Sequence, residues 1–296
     1  MINFLKYKFI NLSLSGALIA IAILSFIFNG FKPSVDFVGG SLLEFSVKQE
    51  SVNKFSNDAL KEEIGKVEGV QVSSVQKSSN DSFVIRMNAI DGLTKTKVEN
   101  KLYEIYDGGT AVNKFDSVGP VLGRELLIKT ALAVTIASLF IMFYVSWQFK
   151  DRIYGTAAIL AMIHDVMILF GAFSVLGRFA GVEVDTLFVT AILTTLSFSV
   201  HDTIVVFDRI RERISSRTGE DLNSSFNKAV AQTLPRSLNN SMTIIFMLTA
   251  LFVLGGETIR WFSFALLLGT VLGTYSSPFV AVPLLSIMLK RLKSKR

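Results

Sequence analysis

Apolar and polar positions along this chain repeat on two different scales. Residues 9–28 carry no charge and follow Lys6 and Lys8. About 20 apolar residues at 1.5 Å each are enough to cross a bilayer core. The run ends in FNGFKP, without the small-residue cleavage site of a signal peptide, so it predicts a retained first membrane span. Between residues 32 and 123 the long runs stop and short periods take over. Residues 41–47 (SLLEFSV) alternate as a strand does. Residues 57–67 place Leu60, Ile64 and Val67 on one helical face, with Asn57 as the expected N-cap. Strands are predicted at 70–75 and 82–87 around the polar turn KSSND. A second helix at 94–106 carries Val98, Leu102 and Ile105 in register, and 111–118 is the last strand. The order β-α-β-β-α-β predicts an α+β domain of ferredoxin-like arrangement.

From residue 126 the long apolar period returns. Spans are predicted at 126–149, 153–176 and 184–207. A fifth starts near Thr233 and runs through 241–255, and a sixth covers 259–289, broken by Pro278 and Pro283. The predicted organisation is a tip and first span (1–31), the α+β domain (32–123), and five further spans (124–296) with a polar cytoplasmic loop at 208–234 and a basic tail. The fold class is thus a polytopic α-helical membrane protein with six transmembrane helices and one domain between helices 1 and 2.

Composition agrees, at 50% hydrophobic residues, 25 Phe and a mean hydropathy of +0.49. A net charge of +6 raises nucleic acid as a partner, but the lysines and arginines sit at the ends of apolar runs. That distribution points to topology in a lipid bilayer instead. The N-terminal tip, the turn Lys150-Asp151-Arg152, the 208–234 segment and the tail KRLKSKR are basic, whereas 177–183 and 256–258 are poor in Lys and Arg. Both termini are therefore expected in the cytoplasm, with the large domain extracytoplasmic. The absence of cysteine excludes disulfides, iron–sulfur clusters and thiol catalysis. No cofactor, metal or catalytic residue is expected.

Candidate chemistry is concentrated in two His-Asp pairs inside spans, His164-Asp165 and His201-Asp202. A carboxylate at a helix centre costs about 2.5–3.5 kcal/mol on the lower, insertion-based scale. Helical spacing puts Asp202 on one face with Ser199, Thr195 and Ala191, a small polar stripe suited to a helix interface. Arg236, in TLPRSLNNSMT at the start of the fifth span, is the natural counter-ion for Asp202. His201, His164, Asp165, Ser199, Thr195, Thr203, Ser237 and Asn240 are candidates for an auxiliary polar network. Three readings compete: a proton relay through Asp202 and Arg236, a static buried ion pair, and a metal site built from both His-Asp pairs. Adjacent side chains point about 100° apart on a helix, which weighs against the last. The run 208–213 reads as a solvated helix extension, and Gly269 and Gly273 as a helix-packing motif. Asp36, Gly39 and Gly40 after the first span, and Gly119, Pro120 and Gly123 before the second, form connectors whose glycines suit hinges.

Five segments in order resemble the SecF family of bacterial protein export, within the resistance–nodulation–division (RND) superfamily. They are VDFVGGS, SVGPVLGREL, MIHDV, FSVHDTIVVFDRIRE and QTLPRSLNNSMT, and the resemblance covers essentially the whole chain. It implies one RND-like half that works with a SecD-like subunit beside the SecYEG channel. Such a subunit uses the proton-motive force to draw a translocating preprotein across the inner membrane. It also implies that the fourth-span aspartate and the arginine entering the fifth span, Asp202 and Arg236 here, take part in proton passage. The chain departs from the usual family pattern at His201, where asparagine is common, and at Val38, where a hydroxyl residue is frequent. An imidazole beside Asp202 is expected to alter the coupling. The alternatives are a proton-driven RND exporter of small molecules or lipids and, from a different class, an intramembrane metal-dependent hydrolase. RND exporters normally carry two sets of six spans, so this chain, with one, needs a partner.

Overall fold

A computed structural model describes residues 4–52, 54–77, 81–149, 151–216 and 221–294. Residues 78–80 of the KSSND turn, Lys150, residues 217–220 of the polar segment and the last two residues of the tail lie outside the described residues. In chain order the elements are α1 (Lys8–Asn29), a one-turn α2 (Val35–Val38), β1 (Gly40–Val47), α3 (Asn57–Gly65), β2 (Val72–Lys77) and β3 (Ser82–Met87). They continue with α4 (Gly92–Ile105), β4 (Thr110–Val118), α5 (Pro120–Phe149), α6 (Arg152–Phe179), α7 (Thr186–Ser215) and α8 (Leu222–Leu254). Last come α9 (Glu257–Ser276), a π-helical turn (Ser277–Ala281) and α10 (Val282–Ser294). Among the described residues six helical stretches are long and apolar enough to cross a membrane. The chain divides into two compact units, Pro33–Ala131 and Met1–Lys32 with Leu132–Arg296.

In the first unit the alternating segments become a four-stranded antiparallel sheet of order β2-β3-β1-β4. This is the ferredoxin-like order expected from the element sequence. Every second residue of β1 (Leu43, Phe45, Val47) turns inward to meet Leu60 and Ile64 of α3 and Val98 and Leu102 of α4. The Phe45 ring stacks on Phe83 at 5.7 Å and tilts against Tyr106 at 6.0 Å. The cap of α3 is Ser56, not Asn57: Ser56 has extended backbone, and its hydroxyl accepts from the Ala59 N–H. Likewise β2 starts at Val72, because Val70 closes a turn onto the Val67 carbonyl and Gly69 is left-handed there.

The two connectors of this unit touch. Gly39 and Gly40 have φ of 75° and 123°, which follow directly on α2. A Cβ on Gly39 would lie 2.6 Å from Pro120 Cα, and one on Gly123 would lie 2.8 Å from the Gly39 nitrogen. Pro120 and Gly123 are therefore not loop residues. They open α5, and only Gly119 stands between β4 and that helix. Close backbone contact is what the structure asks of Gly39 and Gly123.

In the second unit α6, α7 and α9 form the buried centre. Thr195 and Ser199 of α7 sit against Gly269 and Gly273 of α9, where any Cβ at Gly269 would overlap Thr195. On the far side of α6, Ser25 of α1 donates to Ser174 at 3.0 Å. α5 instead exposes Leu132, Leu139, Phe140, Phe143 and Trp147. Two expectations need correction. The polar segment 208–234 is mostly helix: α7 runs to Ser215 and α8 starts at Leu222, capped by Asp221, with Phe226, Ala229 and Val230 buried. Charged pairs such as Arg209–Glu212 and an Arg209–Gln232 bond of 2.8 Å carry the helices past their apolar limits. Nor do the prolines break the sixth span. The π turn absorbs Pro278, which has no N–H to donate, and helical structure continues.

Candidate functional site

Asp202 occupies the middle of α7 and is 6% exposed. Its Oδ2 accepts a 2.5 Å hydrogen bond from the Ser237 hydroxyl on α8. Val206, Leu234, Ser277 and Pro278 line the same small pocket. The expected counter-ion is elsewhere. Arg236 is exposed and lines an adjoining cleft of about 680 Å³ with Asp208, Arg209 and Glu212. Among the described residues it makes no ion pair with Asp202. Helix geometry fits this: residues 236 and 237 point about 100° apart, so Ser237 meets Asp202 while Arg236 turns to the stretch of α7 around Asp208 and Glu212. Val205 and Thr233 line both the pocket and the cleft, so the carboxylate lies just behind the arginine-lined opening.

The stripe on α7 divides its work. Thr195 and Ser199 are buried with Asp202, but the Ser199 hydroxyl donates to Asp165 Oδ2 at 2.5 Å. Ser276 of α9 donates to the same oxygen at 2.6 Å, and His164 Nδ1 lies 2.8 Å from Asp165 Oδ1. Adjacent His and Asp side chains do meet here, contrary to the divergence expected on a helix. Thr203 and Ser277 share a 3.0 Å bond between α7 and the π turn. His201 and Asn240 are exposed and join neither cluster. Asp36 is half-buried in the single turn of α2, with its N–H donated to the Ser34 hydroxyl. Ser276 and Ser277 were missed by sequence reasoning. Their signal was two hydroxyls directly before a proline inside an apolar run. Among the described residues no three His, Asp or Glu side chains converge as metal ligands would.

Comparison with known proteins bears on the whole chain. Residues 97–291 match the profile of the protein export membrane protein SecD/SecF C-terminal family, and residues 24–50, which include Gly39 and Gly40, match the SecD/SecF GG motif. The protein translocase subunit SecF of Thermobaculum terrenum is 39% identical, over 96% of this chain and 93% of its own length. That of Anaerolinea thermophila is 36% identical over 97% and 94%. The crystal structure of SecDF from Thermus thermophilus superposes with a TM-score of 0.82 at 28% identity, covering 98% of this chain. A SecDF structure in a super-membrane-facing form superposes with a TM-score of 0.71. The chain spans 39% of the length of each SecDF chain. Six apolar helices, a ferredoxin-like domain after the first, and matched sequence from end to end lead to one statement: this multi-pass membrane chain belongs to the SecF family of protein translocase subunits.

Proposed function

We propose that this subunit couples the proton-motive force to preprotein export by binding and releasing a proton at Asp202. The observation that carries the reading is a mid-helix carboxylate, buried against Ser237 and next to the cleft that Arg236 lines. Arg236 then acts across the cleft as the charge that draws or repels the proton, not as a fixed partner. One charge crossing about 100 mV releases roughly 2.3 kcal/mol, a bias of about fiftyfold on a two-state movement. In this reading the α+β domain is the moving part, reached through the Asp36–Gly40 and Gly119–Gly123 connectors.

A SecD-like subunit supplies the remainder of the motor, as the share of each SecDF chain left uncovered suggests. A polar stripe favours the same partner: Thr190, Thr194, Ser197 and His201 recur on one exposed face of α7, and Asn239 and Asn240 of α8 are exposed as well. Lipid is a poor neighbour for such a face, and another subunit is a good one. His201 belongs to that surface and not to the Asp202 pocket. The motor works at the SecYEG channel in the inner membrane, with both termini cytoplasmic, the α+β domain outside, and no covalent chemistry of its own.

The test is Asp202→Asn in the full chain, reconstituted with its SecD-like partner and the channel in vesicles. Loss of the gradient-stimulated part of export with normal assembly is expected. Export that still responds fully to the gradient overturns the relay, and failure to assemble assigns Asp202 a structural role instead.

A further inference from the structure

Asp202 is not the most deeply buried carboxylate in the helical unit. Asp165, in the middle of α6, is 1% exposed, and His164 beside it is 3% exposed. Both oxygens of Asp165 are engaged, Oδ1 by His164 Nδ1 and Oδ2 by the hydroxyls of Ser199 and Ser276. Among the described residues the elements packed on α6 place no cation in contact with Asp165. α1 is charged only at Lys8, and α7 before Asp208 offers only His201 and Asp202. α9 has Glu257 and Arg260 in its first turn and the phenol of Tyr275 near its end; α10 is charged only from Lys290 on, and the π turn not at all. An ionised Asp165 with a neutral His164 therefore carries one uncompensated negative charge inside a membrane span.

A proton removes that charge without breaking the cluster. It goes on Oδ2 and is donated to Ser276 Oγ, which turns from donor to acceptor. The serine's own hydrogen then points to the Gly273 carbonyl, already 3.4 Å away. His164 Nδ1–H keeps its bond to Oδ1 in both states, and Nε2, which has no partner among the described residues, stays a bare acceptor. A buried N–H there would be left unsatisfied. His164 is thus a positioning residue. Each charge state of Asp165 has a full set of hydrogen bonds, and they differ by one hydroxyl rotation.

Ser277 brings a further hydroxyl from beside this cluster to the Asp202 pocket. Ser277, next to Ser276 on the π turn, bonds Thr203 at 3.0 Å, and Ser277 itself lines the Asp202 pocket. The π turn begins at Ser277, directly after Ser276 ends α9, and such turns recur at functional sites. We propose that Asp165 is a second proton-binding carboxylate in series with Asp202, with the hydroxyls of Ser276, Ser277 and Thr203 standing between the two and passing the proton as they rotate. A proton leaving Asp202 arrives on Asp165 Oδ2, so no proton is gained or lost in the step. The inference rests on the relay proposed for Asp202, and its test separates the two.

The experiment uses the full chain with its SecD-like partner in proteoliposomes, comparing Asp202→Asn, Asp165→Asn and the double variant. Asp165→Asn is expected to assemble and to lose gradient-driven export at least tenfold. Infrared difference spectra between acid and neutral pH, taken in the Asp202→Asn background, should show a protonated-carboxyl band that the double variant lacks. Full gradient-driven export in Asp165→Asn, or a band unchanged in the double variant, overturns the proposal. Gradient-driven export that survives Asp202→Asn strikes the relay itself, while the band still decides whether Asp165 binds a proton. Should Asp165→Asn fail to assemble, Ser276→Ala takes its place. A shift of the same band supports the proposal, and an unmoved band overturns it.

Discussion

Ser237 holds the carboxylate of Asp202 by a single hydroxyl, and that bond can be removed without touching the charge. Leaving a buried polar group unpaired costs about 1–3 kcal/mol, or roughly five- to a hundred-and-fiftyfold in rate if the bond is needed at the slow step. Initial rates of gradient-driven export should fall by that factor in Ser237→Ala and recover in Ser237→Thr, which keeps the hydroxyl. A second residue-scale effect lies outside the membrane spans. The Thr94 backbone N–H and then its side chain hold the Asp91 carboxyl below its ordinary range at the N-terminus of α4. A depressed carboxyl contributes stability above that range and loses it as pH falls through the depressed value. Protection factors for amide exchange in the first turn of α4, corrected for the intrinsic rate at each pH, should therefore fall in acid, and Asp91→Asn, which caps without a charge, should remove that dependence. At this scale the sequence singled out Asp202 by its cost in lipid. It could not say which of Arg236 and Ser237 faces it, because neighbours on a helix diverge and spacing alone does not fix the rotation.

Helix-to-helix contact is where small residues matter. At the α7–α9 crossing Gly269 leaves room for Thr195, and crowding such a contact costs about 1–3 kcal/mol or more. Gly269→Val is expected to lower the amount of folded chain recovered from membranes, and Thr195→Gly in the same chain should restore part of it. Size-exclusion profiles of the purified protein would show both effects. The crossing was legible as a GxxxG motif in an apolar run, and the sheet was legible from β1 because Leu43, Phe45 and Val47 alternate. Helix ends were less so. Hydropathy follows lipid, whereas α7 runs on to Ser215 with its charged pairs and α8 begins behind the Asp221 cap. The π turn left no periodic mark at all, since Pro278 reads equally as a break and as a helix that has taken in an extra residue.

On the scale of the whole molecule, six spans and a single folded domain follow from apolar run length, and basic residues set the expected orientation. The uncovered polar side of α7 was hidden, because Thr190, Thr194 and Ser197 look like any small polar residues until the structure shows that they are exposed. The absence of cysteine makes the orientation easy to examine. Ser73 in β2 and Lys290 in α10 are both exposed. In intact cells Ser73→Cys should react with a membrane-impermeant maleimide, and Lys290→Cys only after permeabilisation; the reverse pattern would invert the topology. A last consequence follows from the backbone contact between Gly39 and Gly123. The chain enters and leaves the α+β domain at one spot, so joining those two points takes only a short link and little loop entropy. The domain is in that sense a cassette. Exchange for a relative's domain is therefore expected to leave the threading of the helices unchanged.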